Sequence, residues 1–169
     1  CTSVYSQSSK KIDSLLTVLK TAKEDTGKVI TLNLLSRQLL RTANYSQAKK
    51  YADDAMSLAK KIVMPDGRHG FKNGMINSYD NIGEVHRLQG NYPDALKNYQ
   101  ACLKICEEIG NKKGIATSYS NFGTIYWYQG NYPEALKYSL ASLKIREEIG
   151  DKLGIAGSYT NIGLIYTNH

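Results

Sequence analysis

Apolar residues recur along the second half of the chain at the spacing of three and four that marks amphipathic α-helices. The segment PEALKYSLASLKIREEI begins with Pro133 and ends before Gly150, residues typical of the first turn and the end of a helix. Its apolar stripe, with Lys and Glu on the opposite side, comprises Ala135, Leu136, Leu140, Leu143 and Ile149. The next segment, GIAGSYTNIGLIY, repeats the pattern with Ile155, Tyr159, Ile162 and Tyr166. Together the two segments predict a helical hairpin.

The sequence contains the same predicted hairpin twice. Residues 90–129 and 130–169 are identical at 25 of 40 aligned positions. Repetition at this period is typical of a solenoid, in which each unit buries its apolar face against its neighbours. Gly123 and Gly163 stand in the middle of predicted helices, where glycine costs about 1 kcal/mol relative to alanine. We expect a partner helix to approach closely at these positions.

The repeated residues resemble the tetratricopeptide-repeat family in its longer, 40-residue form. The family pattern is a large residue, an apolar residue followed by Gly, a Tyr, Gly-x-Tyr and Ala, which one unit meets with Tyr119, Phe122-Gly123, Tyr126, Gly130-x-Tyr132 and Ala135. The unit before it has Tyr79, Ile82-Gly83, His86, Gly90-x-Tyr92 and Ala95. The resemblance implies an all-α fold, a right-handed superhelical solenoid of antiparallel helix pairs. It also implies that the first helix of each pair lines a concave groove.

The resemblance spans nearly the whole chain, and it predicts a single domain over residues 1–169. We expect a tail and capping helix over about 1–25, with Ile12, Leu15, Leu16 and Leu19 on the face that packs on the first repeat. The successive parts are then a degenerate repeat (26–63), an inserted loop (64–73), two full repeats (74–110 and 113–150) and the first helix of a truncated repeat (153–169). The loop, with Arg68, His69, Phe71 and Lys72 near its tip, is either a tolerated insertion or a contact loop.

The charge of the chain does not indicate a nucleic-acid partner. The formal net charge is +7 at pH 7, but Lys and Arg alternate with Glu along the predicted helices and form no basic patch. The longest apolar runs are a few residues, far short of the roughly 20 needed to cross a bilayer. We therefore expect no nucleic-acid partner and no membrane span.

Chemistry-bearing motifs are missing from the sequence. It contains no Gly-rich phosphate loop, no Gly-x-Ser-x-Gly and no Cys-x-x-Cys set. Cys102 and Cys106 stand four apart, but the next repeat has Ser142 and Arg146 there, so we interpret Cys102 as a small buried residue and Cys106 as incidental. His86 takes the place of a family Tyr and is interpreted as a packed core residue. We expect no enzymatic activity, no metal and no cofactor.

The chain begins at Cys1 without Met, which suggests a piece of a longer protein. Its small, polar opening, CTSVYSQSS, suits the stretch around an export cleavage site and slightly favours an exported or periplasmic protein over a cytoplasmic one. Acylation of Cys1 is a further alternative.

The resemblance also sorts the residues beside the buried stripe of each first helix into a candidate peptide-binding face. These residues are Asn77, Asp80, Asn81, Glu84, Arg87, Thr117, Ser120, Asn121, Thr124, Trp127, Tyr128, Thr160 and Asn161. Asn81, Asn121 and Asn161 recur once per repeat. An amide both donates and accepts, so each Asn either grips the backbone of a bound peptide or bonds the adjacent helix as a structural spacer.

Trp127, the only tryptophan, is our preferred contact residue, because Trp and Tyr anchor many interfaces. The function predicted is that of a scaffold module which binds a peptide or protein segment in its groove. The resemblance suggests the sensory or regulatory part of a bacterial signalling protein. The alternative is self-association, because the truncated repeat is expected to leave Tyr159, Ile162 and Ile165 without a covering helix.

Overall fold

A computed structural model describes residues 2–67 and 70–167, with no description of the side chains of residues 2–7. In these ranges the chain forms eight α-helices: α1 (Thr2–Thr21), α2 (Thr26–Arg41), α3 (Tyr45–Lys61), α4 (Lys72–Leu88), α5 (Tyr92–Glu108), α6 (Lys112–Tyr128), α7 (Tyr132–Glu148) and α8 (Lys152–Thr167). The predictions on Cys1, Arg68 and His69 lie outside the described residues.

The repeated Gly-Asn pairs explain where the helices end and begin. Asn91, Asn111 and Asn131 are N-caps, and each side chain accepts a hydrogen bond from the backbone N–H three residues on. Each is preceded by a glycine in the left-handed region, where a residue without Cβ ends a helix with little strain: Gly90 (φ 75°), Gly110 (φ 67°) and Gly130 (φ 72°). The local sequence therefore determines where these helices end and begin.

The degenerate repeat departs from this pattern at Ala43, which has a φ of 57°. We expect Ala43→Gly to raise the free energy of unfolding by about 0.5–1 kcal/mol, because a Cβ in the left-handed region costs about 1–2 kcal/mol and glycine's extra chain entropy offsets only part of that. Urea unfolding followed by circular dichroism measures the change. Gly130→Ala is the matched opposite change. A Cβ added there meets no described atom within 4 Å, so any loss of stability should come from the positive φ alone. Stabilisation by both changes would contradict this explanation.

The chain divides into two compact units, Cys1–Gly90 with α1–α4 and Asn91–His169 with α5–α8. The boundary falls within the predicted repeat 74–110, and the single domain stays a prediction. In the first unit, Ile12, Leu15 and Leu16 of α1 pack against a core that includes Leu35 and Leu39 of α2. This is the apolar face of α1 expected to contact the first repeat.

The core of the second unit is aromatic. Tyr99 and Phe122 are buried and meet edge to face, with ring centroids 6.5 Å apart. Tyr138 of α7 lies 5.3 Å from the Phe122 ring and stacks on Tyr126 at 5.5 Å. Ile125 is fully buried in the same cluster. These contacts join α5, α6 and α7, and Phe122 and Tyr126 among them also carried the family resemblance.

Gly123 lies at the closest approach of α6 and α7. A Cβ built on it would stand 2.8 Å from Ser139 Oγ and 3.1 Å from the Ala135 carbonyl oxygen. The expected reason for a mid-helix glycine therefore holds at this position. At Gly163, in the corresponding place on α8, no described atom lies within 4 Å of such a Cβ.

Expectations about burial were wrong at Leu140, Ile165 and Cys106. Leu140, in the predicted apolar stripe of α7, is 48% exposed. Ile165 is 3% exposed, because it takes the place of Ile125 and faces the preceding hairpin, whereas Tyr159 is 57% exposed as expected. Cys106 is not incidental: it is fully buried, and its Sγ occupies the space where a Cβ on Gly114 would stand. The glycine of α6 thus makes room for the thiol of α5.

Candidate functional site

The predicted contact residues fall on α4, α6 and α8, the first helices of the predicted repeats. Five of them are in the first unit, on α4: Asn77, Asp80, Asn81, Glu84 and Arg87. Eight are in the second unit, on α6 and α8: Thr117, Ser120, Asn121, Thr124, Trp127, Tyr128, Thr160 and Asn161. Each set is described within its own unit.

In the first unit, Asn81 is engaged in a buried polar network. It is 6% exposed, and its Nδ2 donates to the Asn33 carbonyl oxygen at 3.0 Å and to Asn33 Oδ1 at 3.3 Å. Asn33 Nδ2 in turn donates to the Gly74 carbonyl oxygen at 3.0 Å, and Ser78 Oγ donates to Asn33 Oδ1 at 3.0 Å. At Asn81 the structure therefore favours the spacer between helices over the peptide contact.

We expect Asn81→Ala to lower the free energy of unfolding by about 1–3 kcal/mol, because it removes two hydrogen bonds from a site closed to water. Thermal unfolding followed by circular dichroism measures this effect. Asn77→Ala, an exposed change on the same helix, is the control and should have little effect on stability. If Asn81→Ala left stability unchanged but abolished peptide binding, Asn81 would be a peptide-binding residue and not a structural spacer.

The rest of the α4 set is more accessible. Arg87 and Glu84 form an ion pair along the helix, with Arg87 Nε donating to Glu84 Oε2 at 2.7 Å. Asp80 is half-buried and Asn77 is exposed. A pair of this kind neutralises both charges and leaves this part of α4 polar without strong charge.

In the second unit, residues of α6, α7 and α8 enclose a pocket of about 210 Å³. We call it the Trp127 pocket; it is lined by Gly123, Thr124, Trp127, Tyr128, Ser139, Asn161, Leu164 and Ile165. Thr124, Trp127, Tyr128 and Asn161 belong to the predicted contact set. The structure therefore brings four predicted residues from two helices to one cavity.

One side-chain hydrogen bond joins two helices beside this pocket, and other hydroxyls bond within their own helices. Asn161 Nδ2 donates to Ser120 Oγ at 3.2 Å, joining α8 to α6. Thr124 Oγ1 donates to the Ser120 carbonyl oxygen at 2.9 Å. Thr117 and Thr160 hydroxyls likewise donate to carbonyl oxygens of their own helices, at 3.0 Å each. Asn161 thus contributes both to the packing of the helices and to the pocket wall, while Asn121 is half-buried on α6.

Trp127 is half-buried and packs edge to face on Tyr128, with ring centroids 5.0 Å apart. Tyr128 is 48% exposed and stacks on Tyr92 of α5 at 5.9 Å. Trp127 Nε1 is buried and has no hydrogen-bond partner, and Ser139 Oγ is in the same condition. Buried polar groups are nearly always paired. Two unpaired polar atoms, which we call orphans, in residues that line one pocket therefore need an explanation.

Ser139, Gly123, Leu164 and Ile165 were absent from the predicted set. Ser139 was missed because it lies on α7, a second helix, whereas only first helices were considered. A signal was present, since Ser139 stands where the preceding repeat has the fully buried Tyr99. The smaller side chain leaves space that a tyrosine fills in the neighbouring repeat.

Arg146 is a partly buried charged residue of the second unit. Burial lowers the pKa of its guanidinium, and the Asp151 carboxylate offsets part of that shift. Its NH1 donates to the Gly154 carbonyl oxygen at 2.6 Å and to Ser158 Oγ at 3.1 Å. Arg146 therefore joins α7 to the first turns of α8.

The described residues contain no group of three or more His, Cys, Asp or Glu side chains placed to hold a metal ion. None of their helices is both long and apolar enough to cross a membrane. The Trp127 pocket offers apolar walls, aromatic rings and a few hydrogen-bonding groups.

A family model for the tetratricopeptide repeat matches residues 74–148 and 114–167, together more than half of the chain. A comparison with curated proteins finds no match. Among solved structures, similarity extends to aspartyl phosphate phosphatase F from Bacillus subtilis (TM-score 0.80, 14% identity, 95% of this chain and 43% of that one). A second similar structure is a Signal Transduction ATPase with Numerous Domains protein with a tetratricopeptide repeat sensor, from Pyrococcus horikoshii. Its TM-score is 0.76 at 21% identity, and the similarity covers 95% of this chain and 24% of that one.

A third similar structure is BtubC from P. vanneervenii (TM-score 0.73, 17% identity, 97% of this chain and 65% of that one). The chain therefore spans less than two thirds of each of these three proteins. At such identities the similarity shows the fold alone, an all-α solenoid built from antiparallel helix pairs.

Proposed function

Because the chain belongs to the tetratricopeptide-repeat family, whose members are generally binding modules, we propose that it binds a peptide or protein segment along α6 and α8. The observation that carries this proposal is the Trp127 pocket, where exposed aromatic surface adjoins unpartnered polar groups. Aromatic anchors with a few placed polar groups are typical of binding sites.

A displayed library of random peptides, selected on the purified chain, tests the proposal. Trp127→Ala with Asn121→Ala should weaken binding of the selected peptides at least about tenfold, because truncation of a hot-spot anchor typically costs about 2 kcal/mol or more. The helical circular dichroism signal should not change. Leu140→Ala, a truncation of an exposed apolar residue on α7 outside the pocket, is the matched control. Equal binding by the double variant, or failure of the selection, would contradict peptide capture on this face.

We further propose that the module is the sensory or regulatory part of a larger bacterial signalling protein. Support comes from the tetratricopeptide repeat sensor named in the Pyrococcus horikoshii structure, which this chain resembles in fold. A partner that is itself a signalling protein, or that changes the activity of an attached output domain, would bear out this role. A purely structural partner would argue against it.

Self-association is the second candidate, favoured by the exposed apolar surface of α8. Leu153 is 89% exposed, Tyr166 65% and Tyr159 57%. Such a patch marks interaction surfaces. The molar mass in solution of the chain, and of the chain extended by a polar capping helix, separates the alternatives. A dimer that Tyr159→Ala with Tyr166→Ala dissociates supports self-association, and a monomer at high concentration rules it out.

A further inference from the structure

One difference between the two repeats lies in the wall of the Trp127 pocket. Tyr99, on α5, is fully buried and fills its place in the core beside Phe122. The equivalent residue on α7 is Ser139, which is 2% exposed and lines the pocket. The serine leaves free the space that a phenol ring occupies at the equivalent position of the preceding repeat.

The size and walls of the cavity limit what it can hold. About 210 Å³ is less than the roughly 300–1,000 Å³ of small-molecule sites and suits a single side chain. Leu164, Ile165 and the rings of Trp127 and Tyr128 provide apolar walls. None of the eight lining residues is charged, so a carboxylate or an ammonium group would lose hydration without gaining a counter-charge.

The polar groups of the pocket further limit which side chain it can bind. An indole Nε1–H is a donor only, so its partner must be an acceptor. The Ser139 hydroxyl both donates and accepts, and the Asn161 side chain, also in the wall, carries an amide. A neutral group that accepts from Trp127 while donating to Ser139 satisfies both orphans, and a primary amide does this with adjacent O and NH₂ groups.

On the basis of the peptide binding proposed above, we propose that the Trp127 pocket takes the side chain of a glutamine from the bound peptide. Its carboxamide oxygen accepts from Trp127 Nε1, and its NH₂ donates to Ser139 Oγ. Its two methylene groups contact Leu164 and Ile165, an apolar contact for which asparagine is one methylene shorter. Leucine fills the same space but forms neither hydrogen bond, so it should bind less tightly than glutamine.

The sole tryptophan provides a direct measurement of this contact. ¹⁵N-labelled protein gives one indole N–H resonance, that of Trp127. The probes are three capped tripeptides, Ac-Ala-Gln-Ala-NH₂ and its Leu and Glu counterparts, titrated into the millimolar range expected for such small ligands. We expect the Gln peptide to move this resonance downfield in a saturable manner, the Leu peptide to bind about three- to tenfold more weakly, and the Glu peptide to leave it unmoved. No shift with the Gln peptide, or equal shifts with all three, would overturn the proposal.

Two variants and a matched control locate the effect. Ser139→Ala should reduce the preference for Gln over Leu about three- to tenfold, because it removes one of the two hydrogen bonds. Ser139→Tyr restores the residue of the preceding repeat, fills the cavity and should abolish all shifts. Ser118→Ala removes another buried, unpartnered hydroxyl that does not line the pocket, and it should change nothing. An unaltered Gln preference in Ser139→Ala would overturn the assignment of the NH₂ partner.

The outcome is separable from that of the proposed function. Peptides selected from the library that bind without any preference for Gln, and without moving the Trp127 resonance, would overturn the glutamine proposal while peptide binding stands. A saturable shift with the Gln tripeptide, but no enrichment from the library, would support the pocket and contradict binding of longer peptides.

Discussion

Replacement of Phe122 by alanine should lower the free energy of unfolding by about 3–5 kcal/mol, a large part of the 5–15 kcal/mol typical of a folded domain. Phe122 is 5% exposed, and its ring centroid lies 6.5 Å from that of Tyr99 and 5.3 Å from that of Tyr138. Its removal leaves a cavity between α5, α6 and α7, and it removes two aromatic pairs in addition to the buried apolar area.

Urea unfolding followed by Trp127 fluorescence measures this loss, because the only tryptophan lies in the same unit as Phe122. Tyr166→Ala, an aromatic truncation at a residue 65% exposed, is the control and should change stability by no more than about 0.5 kcal/mol. A loss below about 1 kcal/mol for Phe122→Ala would show that the aromatic cluster is not the core of this unit.

The same substitution at two equivalent glycines should have effects of opposite sign. Gly123→Ala should destabilise by about 1–3 kcal/mol, because the new Cβ would stand 2.8 Å from Ser139 Oγ and 3.1 Å from the Ala135 backbone oxygen, forcing α6 and α7 apart. Gly163→Ala should stabilise by about 0.5–1 kcal/mol. It meets no described atom within 4 Å and gains the helix propensity of alanine.

Thermal unfolding of the two variants and the parent under one set of conditions tests the pair. Each variant is the control for the other, because both replace Gly by Ala in the middle of a helix at the same place in the repeat. Stabilisation by Gly123→Ala would show that α6 and α7 are not in close contact. Destabilisation by Gly163→Ala would show that another surface covers this side of α8.

The helices and the buried stripe could be predicted because their causes are local. Asn131 and Gly130 end one helix and begin the next through backbone conformations and a cap that depend only on neighbouring residues. The spacing of Tyr119, Phe122 and Tyr126 predicts which face of α6 is buried. Repetition at 40 residues then extends one hairpin along the chain.

The candidate site was predictable only in part, because its properties depend on neighbours distant in sequence. Asn81 and Asn161 occupy the same place in the repeat, yet Asn81 is buried against Asn33, while Asn161 lines a pocket. The space around each is set by the facing helix, and hydrophobic periodicity carries no information about it.

The helices, the repeat and the family could be predicted from short segments, because caps, propensities and periodicity are local properties. The burial of Ile165, the cavity beside Ser139 and the unpaired Trp127 Nε1 depend instead on how neighbouring helices pack. Those features arise where α6, α7 and α8 meet. Packing of three helices, not the pattern on any one of them, determines which polar atoms are enclosed and which are paired.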